Sequence, residues 1–409
     1  MQSPRRGAFF PSWLVLLGML TAIAPLSIDM YLPGFPAIAL SLGSDLPTVQ
    51  LTLAMFLIGI SLGQLIYGPI SDRFGRKPPL YAGLSLYICA TIVCATAHHV
   101  ELLIAARFFQ ALGGSAGLVV SRAVIRDRTT VEEGARAFSM LLLVMGLAPI
   151  LAPLMGGLLL KLAGWRLIFW ALLGFAFLLV VAVHFTMPET LRRDPASRLS
   201  IRSTARNYGS LLQDRRFISC ALTGAFNYGG MFAYIACSPY VLIEIYGVRS
   251  ENFGLLFGLN AFGFIAASQV NARLVPRIGA TGLLRRSIGF PMAAAALGLV
   301  PILLGVHSLP LFMLSLFCFV STLGFIGPNA MALGMAEQGH RAGAASALIG
   351  TLQFLIGTIA GIIVSAVHTD TALPLSAVMG LFGFGGWLTY RLGVAPSLAQ
   401  DPQVARTPT

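Results

Sequence analysis

Two charges of opposite sign stand inside long apolar stretches of this chain. Asp29 lies in TAIAPLSIDMYLPGFP (residues 21–36), a run that otherwise avoids charge. Arg107 lies in a second apolar run that begins near Glu101. A carboxylate can gain and lose a proton, whereas a guanidinium stays charged and acts through its field and its N–H groups. Either charge facing lipid would cost at least ~2.5–3.5 kcal/mol, so both are expected to face protein or water. Asp29 precedes Pro33 by about four residues, about 6 Å of helix, and Arg107 follows Glu101 by about six, about 9 Å. The pair is therefore expected at similar depth, near each other or joined by water. Two readings stay open here: a proton carrier tuned by a neighbouring cation, or a permanently ionised structural pair.

The elements that must hold these charges are membrane helices. Of 409 residues, 56% are hydrophobic and 10% charged, against roughly 25% charged in soluble domains. The mean hydropathy is +0.82. The apolar runs are too long and continuous for a β-barrel, and backbone facing lipid must satisfy its own hydrogen bonds, so they are expected to be helices. Twelve such runs are expected, near 13–33, 49–70, 79–97, 101–121, 137–160, 165–186, 217–240, 251–272, 283–305, 309–330, 343–366 and 373–392. The fold class is thus an all-α membrane protein: a six-helix half (1–190), a polar, Arg-rich central loop (191–216), a second six-helix half (217–395) and a tail (396–409). Arg5 and Arg6 precede a first run that is expected to remain as an uncleaved helix.

Nearly all of the 27 lysines and arginines fall on the side of the N-terminus, leaving Lys161, Arg166 and Arg249 opposite and Arg107 within a span. That asymmetry predicts that both termini are cytoplasmic. The net charge of +12 lies in short loops, not in a dense basic patch, so no nucleic-acid partner is expected. The five cysteines fall inside apolar runs with no zinc or disulfide spacing. The sequence carries no phosphate-binding loop, no His-Glu-x-x-His and no cysteine–histidine metal cluster. An enzyme is not expected, nor a metal or cofactor.

A second constellation is GPISDRFGRKP (68–78). Gly68 is expected to allow close helix packing and Gly75 a tight turn. Asp72 can accept hydrogen bonds at a helix N-terminus, while Arg73, Arg76 and Lys77 supply positive-inside charge. A faint repeat joins GQLIYGPISDRFGRK (63–77) to SQVNARLVPRIGATG (268–282), at the equivalent place in the second half. Duplicated halves suit a transporter whose site lies between them.

The 68–78 string resembles the loop signature of the major facilitator superfamily, and RFFQALGGSAG (107–117) resembles its span-four motif. APLMGG (152–157) resembles the span-five motif of the drug:proton antiporters, with Ala152 where that motif has Gly. SIDMYLP (27–33), MPETL (187–191) and SPYVLIEIYGV (238–248) narrow the resemblance to the bicyclomycin/chloramphenicol-resistance exporters, over all but the two tails. The resemblance implies a gate of Gly68, Asp72, Arg73, Gly75, Arg76 and Asp127, latching against the start of span eleven near His340 to Gly343. It implies proton coupling at Asp29, with Arg107 tuning it, in a cavity lined by spans one, four, seven and ten. Some related exporters carry a second acid where this chain has Thr21. It also implies that Pro149, Pro153, Gly156 and Gly157 shape a seal against proton leak, although simple helix packing explains them equally.

For the substrate wall the expected set is Tyr31, Asn227, Tyr228, Met231, Tyr234, Asn260 and Gln353, offering aromatic area, adaptable thioether and polar tips. Hydrogen bonding between helices is the competing explanation for each. Glu244 reads as a rim residue, and the histidines take no role. The expected function is a proton-coupled, gradient-driven antiporter in the bacterial inner membrane. It would export small drugs such as bicyclomycin- or amphenicol-like compounds, acting as a monomer in the bilayer. The alternative is a transporter of a metabolite such as a dipeptide or amino-acid derivative.

Overall fold

Helices begin where apolar runs meet a cap or a proline. The computed structural model describes residues 12–129, 131–190, 201–338, 342–367 and 371–399, and these are helical with no strand. Arg5, Arg6, His340 and the tail beyond Ala399 lie outside the described residues. α1 (Ser12–Asp29) ends on the acid itself, followed by a 3-10 turn (Leu32–Gly34) and α2 (Phe35–Leu42). Pro33 and Pro36 fall in first turns, where a missing N–H leaves nothing unpaired. The first apolar stretch therefore continues to Leu42 instead of stopping at Pro33.

Next come α3 (Leu46–Phe74), α4 (Lys77–Ala95), α5 (Val100–Arg128), α6 (Val131–Ala163) and α7 (Arg166–Thr186). Asp45 caps α3 by accepting the Thr48 N–H at 3.0 Å. In the central loop, α8 (Ile201–Gln213) is a helix, which the polar composition hid. Leu211 and Tyr208, spaced for one helical face, pack with Phe217, Ala345 and Leu348. α9 (Arg215–Pro239) starts behind Asp214, whose carboxylate accepts the N–H groups of Arg216 and Phe217. A π-helical segment (Tyr240–Ile245) follows, then α10 (Ser250–Ser287), α11 (Phe290–Leu303), α12 (Leu309–Met335), α13 (Ala342–Ala366) and α14 (Leu373–Thr389). A second π-helical segment (Tyr390–Val394) and α15 (Ala395–Ala399) close the described chain. The run expected at 283–305 is divided: α10 bends at Gly279 (φ 76°), continues to Ser287, and α11 restarts at Phe290.

Packing repeats along the chain. α3 packs on α5, α4 on α5 and α7, and α1 on α5, α6 and α7. Likewise α10 packs on α12, α11 on α12 and α14, and α9 on α12, α13 and α14. The two most extensive contacts between the sets are α3 with α13 and α6 with α10, and the same correspondence exchanges one for the other. Among the described residues, ten helices are long and apolar enough to cross a membrane; one of these stretches, Asn252–Leu303, has 52 residues. Large apolar side chains such as Phe185 (80% exposed) and Leu178 (68%) lie on the outside, where lipid would cover them.

Candidate functional site

Asp29 sits at the seam between the two sets. It is 3% exposed, and among the described residues its carboxylate forms no ion pair. The 3-10 turn just after it packs against α6, α9 and α10. From the other set, Tyr234 of α9 lies within electrostatic range of Asp29. The Tyr234 ring stacks on Phe257 of α10 with centroids 5.4 Å apart. Its hydroxyl accepts a hydrogen bond from Asn260 Nδ2 at 2.9 Å. Asn260 thus uses the oxygen of Tyr234, and the Tyr234 O–H proton is left to be donated elsewhere.

Arg107 is fully buried and lies near Asp29, on the carbonyl two residues before it, as one of the expected arrangements. Among the described residues the two form no ion pair, so the structural-pair alternative is not what is seen. Arg107 Nη2 donates to the Ser27 carbonyl at 2.9 Å and its Nη1 to Gln110 Oε1 at 2.6 Å. The guanidinium carbon lies 4.1 Å from the Phe56 ring centre and 4.6 Å from that of Tyr31. Desolvated cation–π contacts of this kind contribute about 2 kcal/mol or more. Gln110 in turn donates to Thr91 Oγ1 at 2.8 Å, and Ser27 Oγ bonds the Tyr87 hydroxyl at 2.7 Å. The physical reason for the difference is local. The last carbonyls of α1 lack intrahelical partners, and a cation satisfies one of them two residues before Asp29. Arg107 therefore holds the end of α1 and not the carboxylate itself.

The expected wall residues divide by location. Tyr31 is inside the first set, its hydroxyl bonded to Thr52 at 2.8 Å and its ring 5.0 Å from Phe35. Asn227 donates to the Thr223 carbonyl at 2.8 Å and faces Gly386 of α14, within the second set. Tyr228 faces Gly327 of α12, and Gln353 lies near Gly224 of α9. Tyr228, Met231 and Gln353 are half-buried, whereas Asn260 and Tyr234 are buried, Tyr234 within electrostatic range of Asp29.

At the other end of the first set, the 68–78 loop closes on a buried arginine. Arg76 is 1% exposed; its Nε donates to Asp127 Oδ2 at 2.7 Å and its Nη1 to Asp72 Oδ1 at 2.8 Å. Burial opposes the Arg76 charge, but hydrogen bonds to Asp127 and Asp72 hold its pKa above the ordinary guanidinium value. Arg73 is exposed and stacks on Phe74 at 5.0 Å. Gly75 adopts φ +97°, and a side chain there would collide with Glu189. Glu189, noted only as part of MPETL, accepts the backbone N–H groups of Arg76 (2.8 Å) and Lys77 (3.0 Å), the start of α4. Its acidic type in a polar exit from α7 was the available signal. Gly68 does not serve close packing, because an added Cβ would meet nothing within 4 Å. The close approach is at Gly63, where a Cβ would collide with Ser115.

The interface holds at several levels. Thr351 Oγ1 of α13 donates to the Ser61 carbonyl of α3 at 3.1 Å, and Arg122 of α5 reaches Ser346 Oγ at 3.4 Å. Gln64 faces Gly350 across the same contact with no hydrogen-bond partner among the described residues. Nearer Asp29, α6 carries Pro149, Pro153, Gly156 and Gly157. A Cβ on Gly156 would collide with the Met30 carbonyl, whereas one on Gly157 would lie 3.7 Å from the Ser250 carbonyl, an ordinary contact. Across the interface, a Cβ on Gly254 of α10 would lie 2.9 Å from the Leu154 nitrogen and 3.0 Å from the Pro153 carbonyl carbon. Gly254 had no distinguishing sequence context and was not expected.

Comparison with known proteins agrees with this arrangement. The chain is 40% identical over 387 residues to the Bacillus subtilis (strain 168) protein described as the uncharacterized MFS-type transporter YdgK, covering 92% of this chain and 96% of that one. It is 33% identical over 368 residues to a bicyclomycin resistance protein homolog of Haemophilus influenzae, covering 90% and 92%. The crystal structure of the human organic anion transporter MFSD10 (TETRAN) superposes with a TM-score of 0.71 at 17% identity, over 96% of this chain and 100% of that one. The model of the Major Facilitator Superfamily matches residues 17–362. With its paired helix sets and a buried acid at their seam, the chain belongs to the Major Facilitator Superfamily: it is a multi-pass transporter of the inner membrane, not an enzyme.

Proposed function

We propose that this transporter exports small drugs of the bicyclomycin or amphenicol kind in exchange for protons, with Asp29 carrying the proton. We read twelve crossings, counting Leu147–Ala163 of α6 as one and the Asn252–Leu303 stretch as two. Residues 1–190 and 217–395 form the two moving halves, and both termini are cytoplasmic. The observation that carries the reading is the buried Asp29 carboxyl at the seam, with no cation paired to it among the described residues. An ionised carboxylate there would lack compensation worth several kcal/mol, so closure requires its proton. When the halves part, water reaches the carboxyl and the proton leaves. Alternating exposure to the two sides then couples proton entry to drug exit. The drug-resistance relative supports the cargo class.

Purified transporter in liposomes with an imposed pH gradient tests this. Addition of bicyclomycin or chloramphenicol should release protons from the wild type, and Asp29→Asn should abolish that release while drug binding persists. Unchanged proton release in a folded Asp29→Asn variant would end the proton-carrier role. Dipeptide-driven proton release without a drug response would replace the cargo by a metabolite.

A further inference from the structure

A groove opens between the start of α9 and the end of α14. It has a cavity volume of about 280 Å³ and is lined by Arg215, Ser219, Leu222, Leu388, Thr389 and Leu392. It exists because the π-helical backbone lies directly on α9: a Cβ on Gly393 would collide with Ser219. Its outer wall is apolar and open, with Leu392 62% and Leu388 37% exposed. Its one charged lining residue is Arg215. Arg215 is exposed and donates through Nη2 to the Leu392 carbonyl at 3.4 Å, leaving its remaining N–H groups available. Arg391 stacks on Trp387 at 5.4 Å, and Arg285 and Arg391 both lie within electrostatic range of Tyr390. Among the described residues, none of these three arginines forms an ion pair. The neighbouring carboxylate, Asp214, is occupied: it accepts from Arg216, Phe217 and Gln338.

We infer that this groove binds one anionic glycerophospholipid, with its phosphate on Arg215 and an acyl chain along Leu222, Leu388 and Leu392. The chemistry selects the ligand. Unpaired guanidinium groups recognise a phosphate by charge-assisted hydrogen bonds. The exposed leucines need a hydrocarbon cover, which a free phosphate does not supply. Trp387 and Arg391 mark the membrane–water boundary, the depth of a headgroup. A zwitterionic lipid would bring its own cation against Arg215, so a net negative headgroup fits better.

The test uses the full chain in detergent, titrated with phosphatidylglycerol or phosphatidylcholine of identical acyl chains and read by native mass spectrometry. Wild type should retain one phosphatidylglycerol at least tenfold more tightly than phosphatidylcholine. Arg215→Gln should lose about tenfold in phosphatidylglycerol affinity, and Arg249→Gln, distant at the residue that precedes α10, should lose none. Leu392→Trp, which fills the groove and keeps every arginine, should also lower occupancy, so the proposal stays testable if one variant fails to fold. Equal retention of both lipids, or unchanged affinity in both groove variants, would overturn the proposal. So would displacement of the lipid by millimolar glycerol phosphate, which would make the site one for free phosphate.

Discussion

Replacing Gly254 by Ala should open the Asp29 side of the transporter. In the closed arrangement the new methyl group would lie 2.9 Å from the Leu154 nitrogen and 3.0 Å from the Pro153 carbonyl carbon. Both are backbone atoms of α6, and neither can rotate aside. Overpacking of this kind costs about 1–3 kcal/mol. The cost applies only while α6 and α10 touch, so it shifts the closed–open equilibrium by about 5–150-fold toward open. Gly258→Ala is the control one turn along: its Cβ would sit 3.6 Å from Ile150 Cγ2, an ordinary contact, and should change nothing. Spin labels at Leu40 (85% exposed) and at the exposed Arg249, both on this side, report the separation by double electron–electron resonance. Gly254→Ala should populate a longer distance that wild type and Gly258→Ala lack. Identical distance distributions in all three proteins would mean that the α6–α10 contact is not the seal, and the reasoning from backbone approach would fail.

Tyr234→Phe leaves the Asn260 amide with no partner and should lower stability by about 1–3 kcal/mol, visible as a reduced melting temperature. It should also move the pH profile of transport, and an unmoved profile would separate Tyr234 from the proton step. Arg107→Lys should lose most transport while folding, because an ammonium cannot span the Ser27 carbonyl and Gln110 as the planar guanidinium does; transport at wild-type rate would contradict this. Glu189→Ala should cost about 0.5–2 kcal/mol by uncapping α4, with Glu189→Gln recovering part of it in thermal melts.

Depth, charge and repetition were legible along the chain; direction and contact were not. Asp29 and Arg107 stand out because membrane stretches exclude charge, and a rise of 1.5 Å per residue converts position into depth. The Gly75 turn and the Arg76–Asp72 pair are local, four residues apart, so their spacing was readable. Packing alone decided the rest. Whether Arg107 met Asp29 or the Ser27 carbonyl depended on how α5 is rotated against α1, which no spacing encodes. Tyr234 came to Asp29 from α9, Asn260 to Tyr234 from α10, and Gly254 to the α6 backbone, each across an interface between distant segments. A helix's own sequence sets which residues share a face, but the neighbour that face meets is chosen by the fit of all the helices together.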